Sequence, residues 1–269
     1  MTDERRLEGQ TPIRRYATPF DRALRKAIET ADTTVGALGI FLIAGLVVAA
    51  ACTAAFVEVA EHVRAGSTQM FDESIIRWLA AHRSGTLDAT MLEITALGTG
   101  TVVMVIVAVA SLFLVLTQHK YSALLLLVST FGGLVLDGVL KLGFNRPRPT
   151  IVVHAVQTVS SSFPSGHAMS SAIVYSTVAY LAARLHKRWW ARVLVMVTAF
   201  VLIVLICFSR LYLGVHYPSD VFAGVLVGFA WAAFCMATLE AIQKFGIRRD
   251  PQILEAEKPA PAPDVLPKH

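Results

Sequence analysis

Three polar clusters interrupt an otherwise apolar chain of 269 residues. The first is Lys141-Leu-Gly-Phe-Asn-Arg-Pro-Arg148-Pro149, and the second is Pro164-Ser165-Gly166-His167. The third runs Ser209-Arg210, five residues, His216, three residues, Asp220. Arg148 and Arg210 offer planar forks of N–H donors that match phosphate oxygens, and Lys141 adds a compact charge. Ser165 and Gly166 stand before an apolar run, so their N–H groups and the positive helix end can face an anion, with glycine allowing close backbone approach. His216 and Asp220 are four apart, and Pro218 between them suits a first helical turn. The carboxylate is therefore expected to keep one ring nitrogen of His216 protonated and to leave the other free to attack phosphorus. His167 would stand opposite, as proton donor to the leaving oxygen. Such an inventory describes an oxyanion site for phosphoryl transfer, a reaction driven by positioning and charge neutralisation. Three cations and backbone donors suffice for it, and no cluster of Asp and Glu with magnesium-like spacing appears, so neither a metal nor a cofactor is expected.

Taken singly, each residue has an ordinary structural reading. Lys141 can snorkel from a span end, and Arg148 between prolines can be a rigid exposed turn. Ser165-Gly166 can be a helix start, and Asp220 a partner for the helix dipole. What separates the two readings is whether the elements around the clusters bring them to one place.

Composition says what those elements are. Hydrophobic residues make up 55% and charged residues 16% of the chain, against about 45–50% and about 25% in soluble domains, which excludes a disordered or soluble acidic protein. Six runs are long enough to cross a hydrocarbon layer as helices, at Val35–Val57, Ile94–Thr117, Tyr121–Leu140, His167–Leu185, Val193–Phe208 and Asp220–Ile242. The expected fold is all-α: a six-transmembrane-helix bundle over residues 35–242, a basic cytoplasmic segment over 1–34 and a largely disordered cytoplasmic tail over 243–269. The first run is too long, and starts too late, for a cleaved signal peptide. Phe71, Ile75, Ile76, Trp78 and Leu79 recur at helical spacing after Ser67 and Thr68, which predicts a short outer helix in the membrane interface.

Lys and Arg distribute 17 to one side of the six runs and 7 to the other, so the positive-inside rule puts both termini in the cytoplasm of a multi-pass cell-membrane protein. All three clusters then emerge on the outer face. The net charge of +5 sits at the ends of apolar runs, which points to lipid headgroups and away from nucleic acid. Residues 1–34 read either as a basic interfacial anchor or as a solvated tail that fixes topology. Cys52, Cys207 and Cys235 all fall in apolar runs and make neither a disulfide framework nor a CxxC metal site. Asp137, four residues before Lys141, is an expensive group within a span unless paired; it either orients Lys141 or forms a purely structural pair. Arg146 is either another phosphate ligand or a lipid headgroup contact; the motif register selects Arg148, which leaves Arg146 secondary, behind the ligands. The other histidines (62, 82, 119, 154, 186 and 269) fit no motif.

The tripartite pattern Lys-x6-Arg-Pro, Pro-Ser-Gly-His and Ser-Arg-x5-His-x3-Asp, spanning Lys141–Asp220 without departure, resembles the type 2 phosphatidic acid phosphatase (PAP2) superfamily. That group includes bacterial lipid phosphatases such as undecaprenyl-diphosphate phosphatases and, more distantly, glucose-6-phosphatase and vanadium haloperoxidases. The resemblance implies metal-free hydrolysis through a phosphohistidine, with His216 as nucleophile oriented by Asp220 and His167 as acid, then base for water. It also implies that Lys141, Arg148, Arg210, Ser165 and Gly166 cradle the phosphoryl group. A site at the membrane–water boundary can meet a headgroup whose chains stay in lipid, so the expected substrate is a lipid phosphate or diphosphate. Polyprenyl diphosphate leads, followed by phosphatidate or phosphatidylglycerophosphate. Residues Thr150–Phe163 read either as a lid or as a plain connection. Transfer of the phosphoryl group to a lipid or sugar hydroxyl, and non-catalytic phosphate-lipid binding, are the competing classes; the presence of both His167 and His216 weighs against the second. Oligomeric state has no signature in the sequence.

Overall fold

The computed structural model describes residues 34–150 and 161–247. The expectations for residues 1–33, for most of the 150–163 connection and for the tail beyond 247 lie outside the described residues. The described residues from 41 onward belong to one compact unit, which holds everything below apart from the first turns of α1. Among the described residues there are eight helices and no strand: α1 (Thr34–Arg64), α2 (Gln69–Ala81), α3 (Gly85–Ala96), α4 (Gly100–Leu116), α5 (Lys120–Phe144), α6 (Gly166–Leu185), α7 (Trp189–Tyr212) and α8 (Pro218–Ile247). α4 is rich in Val, Ile and other residues that favour strands in water. In hydrocarbon every backbone N–H and C=O must be satisfied within its own segment, and that overrides the preference.

Among the described residues four helices are long and apolar enough to cross a membrane, at Leu42–Arg64, Lys120–Phe144, Trp189–Tyr212 and Pro218–Ile242, and α3 with α4 would make a fifth. One sequence expectation needs correction here. The run Ile94–Thr117 is not one straight span, because α3 and α4 meet at a break with a bend of 43°. The break is held from α6, where Tyr175 Oη donates to the Leu97 carbonyl at 2.9 Å. Gly98 sits where a Cβ would fall 2.7 Å from Ile206 and 3.2 Å from the His167 ring, so a side chain there would wedge the break away from α7. The run His167–Leu185 does form a helix, α6, but it is not apolar enough to pass on composition. It packs against α5, α7 and α8 and buries Ser171 and Thr177 fully, so neighbouring helices rather than lipid surround it.

Small residues set how closely α6 and α8 approach. At Gly228 a Cβ would meet Ala172 Cβ at 2.6 Å and the Met169 carbonyl at 2.8 Å, and at Gly224 it would meet the Ser165 carbonyl at 2.6 Å. Ser165 N–H donates to the Asp220 carbonyl at 2.9 Å, tying the start of α6 to the start of α8. The main apolar core lies between these helices and α4 and α5, around Leu126, Met169, Ile173 and Val174. α2 buries Asp72, Ile76 and Leu79 and leaves Met70, Phe71 and Trp78 exposed. Its apolar residues therefore serve two surfaces, one inward and one outward.

Candidate functional site

Four helix ends supply the site: the C-terminal turns of α5 and α7 and the N-terminal turns of α6 and α8. Lys141 lies in the last turn of α5, where its Nζ donates to Asp137 Oδ2 at 2.6 Å. Asn145 follows in the left-handed conformation, φ 41°, a helix stop that Asn tolerates better than most residues. The chain then turns across the bundle end. Arg148 Nη1 lies 3.0 Å from the Val215 carbonyl and 3.3 Å from His216 Nε2.

From α6 come Ser165, Gly166 and His167. Ser165 Oγ is buried and has no protein partner. Gly166 faces the Lys141–Asp137 pair so closely that a Cβ there would stand 2.8 Å from Lys141 Nζ. From α7, Arg210 Nη1 donates to Thr95 Oγ1 at 2.8 Å, while its Nε is a buried donor without a protein partner. Lys141, Arg148, Arg210 and His216 all lie near enough to His167 for their charges to act on it. The three sequence clusters thus meet at one place, beside a cavity of about 290 Å³ whose lining includes Gly98, Met104, Leu134, Asp137, Lys141 and His167.

His216 is 2% exposed and sits in the turn before α8. Its Nδ1 is 2.9 Å from the Ser162 carbonyl but 3.7 Å from Asp220 Oδ2. Nδ1–H is donated to that backbone carbonyl, and the Asp220 carboxylate beside it acts on the ring through its charge. A carbonyl only accepts, so Nδ1 carries the proton. Nε2 keeps its lone pair toward Arg148, which can only donate. Burial pushes the His216 pKa down from 6.5 to about 4, against the opposing pull of Asp220. The imidazole is neutral at physiological pH.

Asp220 is fully buried and well satisfied. It accepts from Ser162 Oγ, from Tyr217 N–H at 2.8 Å and from Arg146 Nη1 at 2.6 Å. Arg146 offers its fork to neither a phosphate nor a lipid headgroup, because both arms are taken within the protein. Nη2 is 2.8 Å from Asp72 Oδ2, so the guanidinium bridges two buried carboxylates, and its Cζ lies 4.5 Å from the centre of the Tyr217 ring. Asp72 also accepts from Ser219 N–H at 3.0 Å and Ser219 Oγ at 2.5 Å. Sequence reasoning passed over Asp72, Ser162, Gly98 and Thr95. Asp72 did leave a signal, because it falls at helical spacing with Ile76 and Leu79 on the stripe that α2 buries. Ser162, one of three consecutive serines, left none. Among the described residues no group of three or more His, Cys, Asp and Glu side chains is arranged to hold a metal ion.

The PAP2 superfamily profile matches residues 122–244. Phosphatidylglycerophosphatase B of Bacillus subtilis is 30% identical over 196 residues, covering 71% of this chain and 94% of that protein. The chain belongs to the PAP2 superfamily. An undecaprenyl-diphosphatase of Sulfolobus acidocaldarius is 28% identical over 193 residues, 69% of this chain and 85% of that protein. The fold agrees: the crystal structure of a transmembrane PAP2-type phosphatidylglycerolphosphate phosphatase from Bacillus subtilis superposes with a TM-score of 0.65 at 27% identity, over 75% of this chain and 97% of that one. The PAP2 relatives are phosphatases, and the apolar helices make this a membrane protein of the same kind.

Proposed function

We propose that this PAP2-superfamily membrane phosphatase hydrolyses a lipid phosphate monoester or diphosphate through a phosphohistidine on His216, with undecaprenyl or another polyprenyl diphosphate as the preferred substrate. The observation that supports this most directly is the state of the His216 ring. Nδ1–H is committed to a carbonyl, Nε2 presents a lone pair beside Arg148, and the ring is neutral at pH 7. That is the condition for in-line attack on phosphorus. Lys141, Arg148 and Arg210 neutralise the equatorial oxygens as charge develops, and the unpartnered donors Ser165 Oγ and Arg210 Nε complete the cradle with the backbone at Gly166. Once a bound phosphate dianion offsets the surrounding charges of Lys141, Arg148 and Arg210, His167 takes up a proton from water, gives it to the leaving oxygen, and then takes one from the water that cleaves the phosphohistidine. Asp220 stabilises the cationic ring during the attack.

The apolar side of the cavity, at Met104 and Leu134, suits the first carbons of a lipid chain. In this reading α6 counts as a sixth span, since its 20 residues extend about 30 Å. The Lys and Arg bias places the site on the outer face and both termini in the cytoplasm, with α2 in the outer interface. Phosphatidylglycerophosphate is the second substrate reading, favoured by the 30% identity to phosphatidylglycerophosphatase B.

The test is phosphate release by the purified protein in detergent from polyprenyl diphosphate, phosphatidate and phosphatidylglycerophosphate, with no added acceptor. Release by the wild type and none by His216→Ala or His167→Ala is expected. Undiminished release by His216→Ala would reject the mechanism, and absence of free phosphate together with a phosphorylated alcohol when an acceptor alcohol is added would make the protein a transferase.

A further inference from the structure

Asp72 comes from α2, ahead of the segment that matches the PAP2 profile, and belongs to none of the three motifs. It is nonetheless fully buried, and all of its strong contacts lead to the nucleophile's surroundings. One carboxylate oxygen takes Ser219 N–H in the first turn of α8, and the other takes Ser219 Oγ and Arg146 Nη2. The same guanidinium gives Nη1 to Asp220 Oδ1 at 2.6 Å. Gln69, three residues before Asp72 on α2, adds its Oε1 to Arg146 Nη2 at 3.3 Å and its Nε2 to Tyr217 Oη at 3.2 Å.

The charge count in this cluster decides what it can do. Asp72, Arg146 and Asp220 together carry one net negative charge, and their buried setting makes that charge felt at short range. His216 becomes cationic when Nε2 bonds to phosphorus, and its Nδ1 lies 3.7 Å from Asp220 Oδ2. Had Arg146 only Asp220 to pair with, the two would cancel, and the developing imidazolium would face a neutral ion pair. With Asp72 holding the other arm of the fork, one negative charge is left over for the ring.

Resting on the phosphohistidine reading above, we propose that Asp72 is a positioning residue for the reaction: from the outer helix α2 it shares Arg146 with Asp220, and thereby leaves the Asp220 charge free to stabilise the His216 cation. α2 is then part of the working site, and the role is electrostatic rather than a matter of anchoring α8 alone.

A charge cycle in the full-length protein tests this. Asp72→Asn keeps the shape and an acceptor for Ser219 N–H but leaves the Arg146 charge to Asp220. The expected result is a fall in kcat of about 10- to 100-fold, the scale of a mispositioned catalytic pair, with KM for the lipid phosphate within about 3-fold. Asp72→Asn combined with Arg146→Gln removes both charges of that pair and restores the single negative charge near His216. This double variant should turn over several times faster than Asp72→Asn alone. An anchoring role predicts the reverse, since the second substitution removes further contacts, and a double variant equal to or slower than the single overturns the proposal. If Asp72→Asn does not fold, the double variant carries the test: folded protein with measurable kcat supports charge sharing, and failure to fold overturns it. Absence of phosphate release or of a trapped phosphoenzyme in the wild type would instead count against the underlying reading.

Discussion

Gly166→Ala separates site from fold more cleanly than removal of any charged residue. A Cβ at position 166 would stand 2.8 Å from Lys141 Nζ and 3.2 and 3.3 Å from the Asp137 carboxylate oxygens. Ordinary contact begins at 3.4 Å, so Nζ must withdraw by about 0.6 Å. The tip of a flexible side chain does this at little cost to the fold. Alanine in a helical first turn also restricts the unfolded chain and adds about 0.4–1 kcal/mol of stability where its conformation is allowed. The consequence falls on the ligand. A charge-assisted bond from Nζ to a phosphoryl oxygen at about 2.8 Å lengthens to about 3.4 Å, past useful range. Losing a hydrogen bond to a charged group is worth about 1.5–3 kcal/mol, or about 10- to 150-fold in kcat/KM. Gly228→Ala provides the contrast, because its Cβ would meet the Met169 carbonyl at 2.8 Å; backbone cannot step aside, and α6 must move off α8. Phosphate release and thermal melting in detergent should show Gly166→Ala slowed by about 10- to 150-fold but stable, and Gly228→Ala destabilised. If Gly166→Ala keeps kcat/KM within about 3-fold of wild type, Lys141 does not hold the phosphoryl group as argued, because a loss at the low end of 1.5 kcal/mol already exceeds that.

Arg148→Lys should lower kcat/KM by about 10- to 100-fold, since a point charge reproduces neither the fork nor its contacts to the Val215 carbonyl and His216 Nε2; steady-state phosphate release checks it. The His216 pKa lies at about 4 folded against 6.5 unperturbed, so below 6.5 the unfolded chain takes up the proton first. Its contribution to stability is full above pH 6.5 and is lost as pH falls toward 4. Melting temperatures between pH 4 and 8 should therefore drop more steeply for the wild type than for His216→Gln. Glu240 is buried and takes Tyr180 Oη and, at 2.5 Å, Arg184 Nη1, far along α6 and α8 from the site. Glu240→Gln should cost about 1–3 kcal/mol of stability while kcat per folded molecule stays unchanged. EDTA should leave phosphate release unchanged, because the proposed chemistry is carried by Lys141, Arg148, Arg210 and the two histidines; strict magnesium dependence would contradict it.

What the sequence made legible follows the range of the interactions involved. Lys141 and Asp137 are one helical turn apart, so an i,i+4 rule anticipated a 2.6 Å ion pair. The apolar runs of α5, α7 and α8 announced themselves because lipid, unlike a protein neighbour, demands an unbroken apolar surface. α6 announced itself poorly for the converse reason: a helix wrapped by others can carry Ser171 and Thr177 on its inner faces, and its sequence looks less like a span the more central it is. Site residues separated widely in sequence were readable only where a motif had already joined them, as with Arg148, His167 and His216. Ser162 and Asp72 belong to no such pattern. Ser162 meets His216 through a main-chain oxygen that every residue type possesses and Asp220 through a hydroxyl that its two serine neighbours share. Asp72 does its work through Arg146, on a different helix end, so its effect becomes visible only when α2 and α8 are seen side by side. The same geometry decides between the two contacts open to Arg146 in the sequence, where the motif register selected Arg148 and left Arg146 secondary: two carboxylates from opposite sides, 2.8 and 2.6 Å away, take both arms of its fork before any substrate can.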